Sequence, residues 1–180
     1  MKISNIDVYK IDMPMRGFFR NARHNHNVQE GIVIHVKTDN GLDGIGDMEP
    51  SEGYTRLNRN DIAEAVQKKL CPVLIGEDPR NFRKISYILD STLNGLWEGK
   101  SAISLALSDI HAKSFGVSIG ELLGGAVVEE VFFNAWIGVL SNEDASIEAK
   151  KFKENGWKAC KVKLNGEVDS DIERVLAVRQ

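Results

Sequence analysis

The sequence predicts an α+β region, a three-stranded antiparallel sheet followed by helices, joined to the opening strand–helix units of a parallel β/α sheet. Three observations carry this expectation. Near the N-terminus, apolar and polar residues alternate and two apolar runs flank Asp39-Asn40-Gly41. Helical spacing of apolar residues then dominates the middle of the chain. From Val131 onward the order becomes apolar strand, amphipathic helix, apolar strand, helix, with short connections, which is the signature of βα units.

Residues 2–11 place Ile3, Ile6, Val8 and Ile11 among polar neighbours and read as a first strand. Residues 12–29 mix Pro14, Gly17, two phenylalanines, three arginines and two histidines without a steady period, so a long loop is expected. Gly31 to Thr38, a tight Asn40-Gly41 turn and Leu42 to Met48 then form a β-hairpin. Ile62, Ala63, Val66 and Leu70 predict a helix over 59–70. Asp78-Pro79 predicts an N-cap and first residue for a helix reaching Leu89. A third helix, Lys100 to Phe115, is apolar around much of its circumference and belongs in a core. Gly116 ends it, and a turn of helix over Ile119 to Leu123 precedes Gly124-Gly125.

The second pattern begins with the nearly continuous apolar strand Val131 to Val139, as in a sheet covered on both faces. Glu143 to Asn155 is an amphipathic helix stopped by Gly156. Trp157 to Leu164 is the next strand, and Asp169 opens another helix. The sequence stops inside that helix at Gln180, without a cap, and is expected to be part of a longer protein.

Composition narrows the functional classes. Of 180 residues, 42% are hydrophobic and 27% charged, with a net charge of −3, which is ordinary for a globular protein and offers no basic footprint for nucleic acid or anionic lipid. No apolar run reaches the ~18 residues of a membrane span, and the first residues lack the core of a signal peptide. Cys71 and Cys160 are too few for a disulfide framework; both sit in apolar company and are expected to be buried, in a cytoplasmic protein.

The residues that carry chemistry are Lys161 and Lys163. On a strand they share one face, while Cys160, Val162 and Leu164 share the other. On a half-exposed strand such a pair is a solvated face. On a strand whose apolar face packs against flanking helices, both lysines instead point to the interior of a barrel near the C-terminal end of the strand, where barrel enzymes hold catalytic groups. Two ammonium groups about 7 Å apart along the strand repel, which lowers the pKa of at least one and suits it to act as a base.

Several stretches together resemble the mandelate racemase and muconate-lactonizing branch of the enolase superfamily. They are Gly41-Leu42-Asp43-Gly44-Ile45-Gly46-Asp47 (with Asp47 where glutamate is usual), Lys100-Ser101-Ala102-Ile103 with Ala106 to Ile110, Lys113 and Gly116, Glu121-Leu122-Leu123-Gly124-Gly125, and Gly156-Trp157 followed by Lys161-Val162-Lys163. The resemblance spans essentially the whole chain. It implies a capping domain over residues 1–126 and the first two βα units of an incomplete TIM-type (β/α) barrel over 127–180. It also implies Lys163 as the base that removes the proton α to a carboxylate, with Lys161 tuning it, in a racemase or epimerase, dehydratase or cycloisomerase. Mg2+ is implied as cofactor, with its acidic ligands on barrel strands beyond Gln180. No metal ligand is assigned here, and Asp169, Asp171 and Glu173 are expected to form a solvated helix face.

By the same resemblance, substrate selection falls to two capping-domain loops, near Arg16 to Asn27 and Glu49 to Tyr54. Phe18, Phe19, Arg20, His24, His26 and Tyr54 are the implied substrate-facing residues, with Arg20 or Arg23 pairing a carboxylate. The partner is a small carboxylate, and the complete protein is expected to be a homo-oligomer. Lys163-Leu164-Asn165-Gly166 followed by Asp171 to Arg174 resembles members acting on proline-derived or N-substituted amino acids. Two other readings of the lysines stay open, a Schiff-base aldolase on a similar barrel and a non-catalytic anion-binding module.

Overall fold

The computed structural model describes residues 1–20, 25–51 and 55–179, residues 16–20 by their backbone alone. The chain forms two compact units, one of residues 1–13 and 29–127, the other of residues 14–28 and 128–180.

Strands β1 (Ile3–Arg20), β2 (Asn25–Thr38) and β3 (Asp43–Met48) form an antiparallel sheet in the order β1-β2-β3. The register runs from Ile32 opposite Met48 to Lys37 opposite Asp43. Both long strands extend into the expected loop over 12–29. Only residues 32–37 of β2 are faced by β3, so among the described residues the outer arms of β1 and β2 have no third strand beside them. The sequence of these arms lacks a steady two-residue period, which is why it reads as a loop. The turn at Asn40-Gly41 is also wider than expected. The Gly41 N–H donates to Thr38 C=O at 3.3 Å and Gly41 alone takes positive φ, at 88°, as in a type I turn closed by a left-handed glycine.

Helix α1 (Arg59–Ala65) continues into a π-helical turn, Val66–Leu70, and α2 (Cys71–Leu74). The helix therefore runs past the expected end at residue 70. Pro72 explains the π-turn. Proline has no N–H and its ring clashes with the carbonyl four residues earlier, so the backbone widens and Cys71 N–H reaches back to Val66 C=O. Asp78 does not cap the next helix. Its carboxylate is occupied by Arg80, which donates through its main-chain N–H, Nε and Nη2 at 3.0, 3.0 and 2.7 Å. Asn81 caps α3 (Phe82–Thr92) instead, accepting from Lys84 N–H.

Helix α4 (Trp97–Phe115) starts three residues before the expected Lys100 and ends at Gly116. It lies against the sheet along Gly44 and Gly46. A Cβ on Gly46 would stand 1.9 Å from Ala102 O, and one on Gly44 2.1 Å from Ala106 O. Glycine on the strand facing alanine on the helix lets the two backbones meet. Ile3, Ile32, Ile34 and Val36 from the sheet join Ile62, Val66, Leu70, Leu74, Ile85 and Leu89, together with Ile103, Leu107 and Ile110 of α4, in one core. Helix α5 (Ile119–Leu122) follows with a Ser118–Glu121 capping box.

In the second unit, β4 (Ala135–Ile137) and β5 (Cys160–Val162) pair in parallel, followed by α6 (Asn142–Glu154) and α7 (Val168–Arg179) respectively. Both strands are shorter than their apolar runs. Val131, Phe132 and Phe133 are exposed, and so are Trp157 and Leu164, because only three residues of each strand find a ladder partner. Cys160, expected to be buried, is exposed although it pairs with Ala135 in the ladder, while Cys71 is buried as expected and burial pushes its thiol up to about 11.

Candidate active site

The second unit brings together three side chains at the ends of β4 and β5. Trp136 stands opposite Lys161 in the parallel register, so both project to the same face, and Lys163, two residues on, shares it. The neighbours on the other face of β4, Ala135 and Ile137, are fully buried. Lys163 is the first residue past β5, where its N–H donates to Ile137 C=O at 2.9 Å. Its Nζ lies 6.0 Å from the centre of the Trp136 ring, within cation–π range.

Lys161 is exposed and Lys163 half-buried. Burial pushes the Lys163 ammonium below its ordinary range, and the hydrogen-bonding contact with Lys161 and then its charge act in the same direction. Like-charge repulsion, the cause expected from sequence, is thus the smaller contribution. A lysine whose ammonium form is disfavoured in this way is better suited to accept a proton and return it.

The loop after Lys163 is ordered by two residues that the sequence placed on a solvated helix face or left without a role. Asp171 of α7 is buried, contrary to expectation. It accepts from the Asn165 and Gly166 amides at 3.1 and 2.9 Å and from Arg174 Nη1 at 2.5 Å. Burial opposes its ionisation, but these hydrogen bonds outweigh burial and hold the carboxyl below its usual range. Gly166 turns here at φ 96°, a conformation suited to glycine. Arg174, also buried, donates through Nε to Leu140 C=O at 2.8 Å and through Nη1 to Lys163 C=O at 3.5 Å. The signal available in sequence was an Asp-x-x-Arg spacing on one helix face behind an Asn-Gly turn.

Of the residues implied as substrate-facing, Phe18, Phe19 and Arg20 lie on β1 and His26 is half-buried on β2. His24 and Tyr54 lie outside the described residues, as does Arg23. In the first unit a cavity of about 370 Å³ is lined by Glu30, Pro50 and residues 55–59, directly after the Glu49 to Tyr54 segment. Its Arg59 is engaged by Asp12, by Glu30 at 3.4 Å and by Ile11 C=O at 2.9 Å. Among the described residues no group of three or more His, Cys, Asp or Glu side chains is arranged to hold a metal ion, and no helix is long and apolar enough to cross a membrane.

Comparison with known proteins gives a consistent picture. N-succinyl-L-Arg/Lys racemase of Bacillus cereus is 29% identical over the whole chain, which corresponds to 49% of that protein. Its crystal structure superposes with a TM-score of 0.96 over 99% of this chain and 48% of the other. Cis-3-hydroxy-L-proline dehydratase of Roseibium aggregatum is 32% identical over 99% of this chain and 49% of its own length. A Roseovarius nubinhibens protein solved in complex with magnesium is 26% identical, with a TM-score of 0.89 over 99% of this chain and 50% of that one. The chain thus spans about half the length of the relatives it matches. The model of the mandelate racemase / muconate lactonizing enzyme N-terminal domain matches residues 5–124, and the chain belongs to that family.

Proposed function

We propose that this chain supplies the proton-transferring lysine of an acid–base enzyme that acts on the carbon α to a carboxylate of a small amino-acid derivative. Lys163 is the base and Lys161 its electrostatic partner. The observation that carries the reading is the half-buried Lys163 at the C-terminal end of β5, its pKa lowered by burial and by Lys161. In the neutral form its Nζ takes the α-proton and becomes an ammonium; returning that proton to the same carbon restores the base. Inversion at that carbon needs a second group on the opposite face, which the described residues do not bring to Lys163.

Among the described residues no side-chain group fits a metal centre, and no step here runs through one. The magnesium-bound relative supports Mg2+ as the cofactor of the proposed reaction. The proposal also divides the chain at residues 126 and 127 into a capping domain and the opening of the barrel. It assigns Phe18, Phe19, Arg20, His24, His26 and Tyr54 to substrate contact. A cytoplasmic location is supported by free cysteines at 71 and 160. Exposed Tyr87 and Phe115 leave apolar surface for association of copies in a homo-oligomer.

The test is α-proton exchange in deuterium oxide, followed by proton NMR, with the full-length protein and N-succinyl-L-arginine, N-succinyl-L-lysine and cis-3-hydroxy-L-proline as the first substrates. Lys163→Ala is expected to lower exchange on the order of 10²- to 10⁴-fold. Lys161→Ala is expected to be milder and to move the acidic limb of kcat/KM to higher pH. The sign follows from the charge: removing a neighbouring cation raises the Lys163 pKa, so a higher pH is needed to free the base. The shift is partial, because burial acts on Lys163 in both proteins. Wild-type exchange in Lys163→Ala would remove Lys163 from the role of base. Trapping of a borohydride-reduced adduct on Lys163 would point to Schiff-base chemistry instead.

A further inference from the structure

We propose that Asp171 and Arg174 are positioning residues for Lys163, a buried ion pair that aims the lysine by fastening the backbone on either side of it. The proposal rests on the reading of Lys163 as base. Lys163 lies beyond the last ladder residue of β5, so its backbone is held by fewer sheet bonds than Lys161. Its N–H reaches Ile137 C=O, and the hydrogen bond to its C=O comes from Arg174. The next two amides after Leu164, those of Asn165 and Gly166, both end on Asp171. Arg174 Nε simultaneously holds Leu140 C=O, in the segment that follows β4. One ion pair therefore fixes the chain leaving β4 to the chain leaving β5, at the residue whose side chain must stay over Trp136.

Stability alone does not account for such a pair. Taking a guanidinium and a carboxylate out of water is costly, and apolar residues of similar volume commonly replace buried pairs without loss of stability. Arg174 is 4% exposed and Asp171 7%, and, apart from the contact with each other, their side chains bond to main-chain groups after β4 and β5. What fixed polar bonds supply and apolar packing does not is direction. An error of about 1 Å in the placement of a reacting group can lower a rate on the order of 100-fold.

The test uses the full-length protein and the exchange assay above, with Arg174→Lys, Asp171→Asn and the apolar double variant Asp171→Leu with Arg174→Met. The double variant is expected to keep the wild-type melting temperature within a few degrees while kcat falls on the order of 10- to 100-fold and KM stays within about twofold. Arg174→Lys retains the charge but not the fork and is expected to lose kcat in the same way. Wild-type kcat in the double variant, or losses that follow only the fraction unfolded, would overturn the proposal. Lys163→Ala measured beside them separates the two readings. If it keeps wild-type exchange, the base assignment falls. The positioning proposal is then decided by the nuclear Overhauser contact between the Lys163 side chain and the Trp136 ring, lost in Arg174→Lys if the pair aims the lysine and kept if it does not.

Discussion

The seam between β3 and α4 and the seam between β5 and α7 are both strand–helix junctions, and they are held by opposite means. At the first, Gly44 and Gly46 let the backbone of α4 approach, and Ala102, Ala106 and Ile110 complete an apolar contact. At the second, apolar residues on α7 stay open, with Ile172 53% and Leu176 54% exposed, and the junction depends on Asp171 and Arg174. Apolar contact is non-directional and tolerates small shifts; hydrogen-bonded ions do not. The first seam therefore carries the stability of its unit, and the second carries geometry, next to Lys163.

The first seam is the place to break the fold. Gly46→Ala puts a methyl group 1.9 Å from Ala102 O, and the obstructing atoms are main-chain atoms of α4, so no side chain can swing aside. Overpacking of a core typically costs about 1–3 kcal/mol and occasionally more, and a clash with backbone belongs at or above the top of that range. Denaturant unfolding should show a loss of at least about 3 kcal/mol, or no folded protein. Gly120→Ala is the matched control, because its new methyl meets only Ser118 Oγ at 3.7 Å; it should be near neutral. Equal behaviour of the two variants would show that α4 and β3 can separate without loss.

The second seam makes a different prediction. Leu164, Val168, Ile172, Val175 and Leu176 line an open groove of about 370 Å³, an apolar surface of the kind that marks association. The 180-residue chain is expected to self-associate. Ile172→Glu with Leu176→Lys, an i,i+4 pair in the favourable order, should weaken that association by tenfold or more, since each large apolar side chain is worth roughly 1.5–3 kcal/mol when buried. Sedimentation velocity reads the effect, with helical circular dichroism unchanged. A monomeric wild-type chain would count against an adhesive groove.

The contrast also explains which parts were legible in sequence. The β2–β3 hairpin was readable because its apolar residues alternate and its turn residues are local, and α4 because apolar residues surround much of it and Gly116 ends it. Lys161 and Lys163 were readable as a pair from alternation alone. The roles of Asp171 and Arg174 were not, because their partners are main-chain groups at Leu140, Lys163, Asn165 and Gly166, and a backbone partner leaves no mark in composition. The outer arms of β1 and β2 escaped because residues 12–29 carry no steady apolar period in sequence. Cys160 shows the converse error, in which apolar neighbours in sequence were taken for burial.

The smallest effect belongs to the last helix of the first unit, where polar bonds cap rather than aim. Glu121 accepts from Ser118 N–H at 2.8 Å, and Ser118 Oγ accepts from Glu121 N–H at 3.1 Å. The main-chain hydrogen bond from Ser118 is the first cause of the lowered Glu121 pKa, and the Ser118 side chain the second. A carboxylate with a lowered pKa in the folded state contributes stability that is present above its ordinary value of 4.5 and is lost as pH falls through the lowered one. Glu121→Ala should therefore lower the melting temperature slightly at neutral pH and hardly at all well below pH 4.5. Glu121 has no part in the proposed proton transfer, so the exchange rate of the full-length protein should stay at the wild-type level. A pH-independent loss of stability would show that the glutamate acts through packing or helix propensity, and that its charge contributes nothing to the cap.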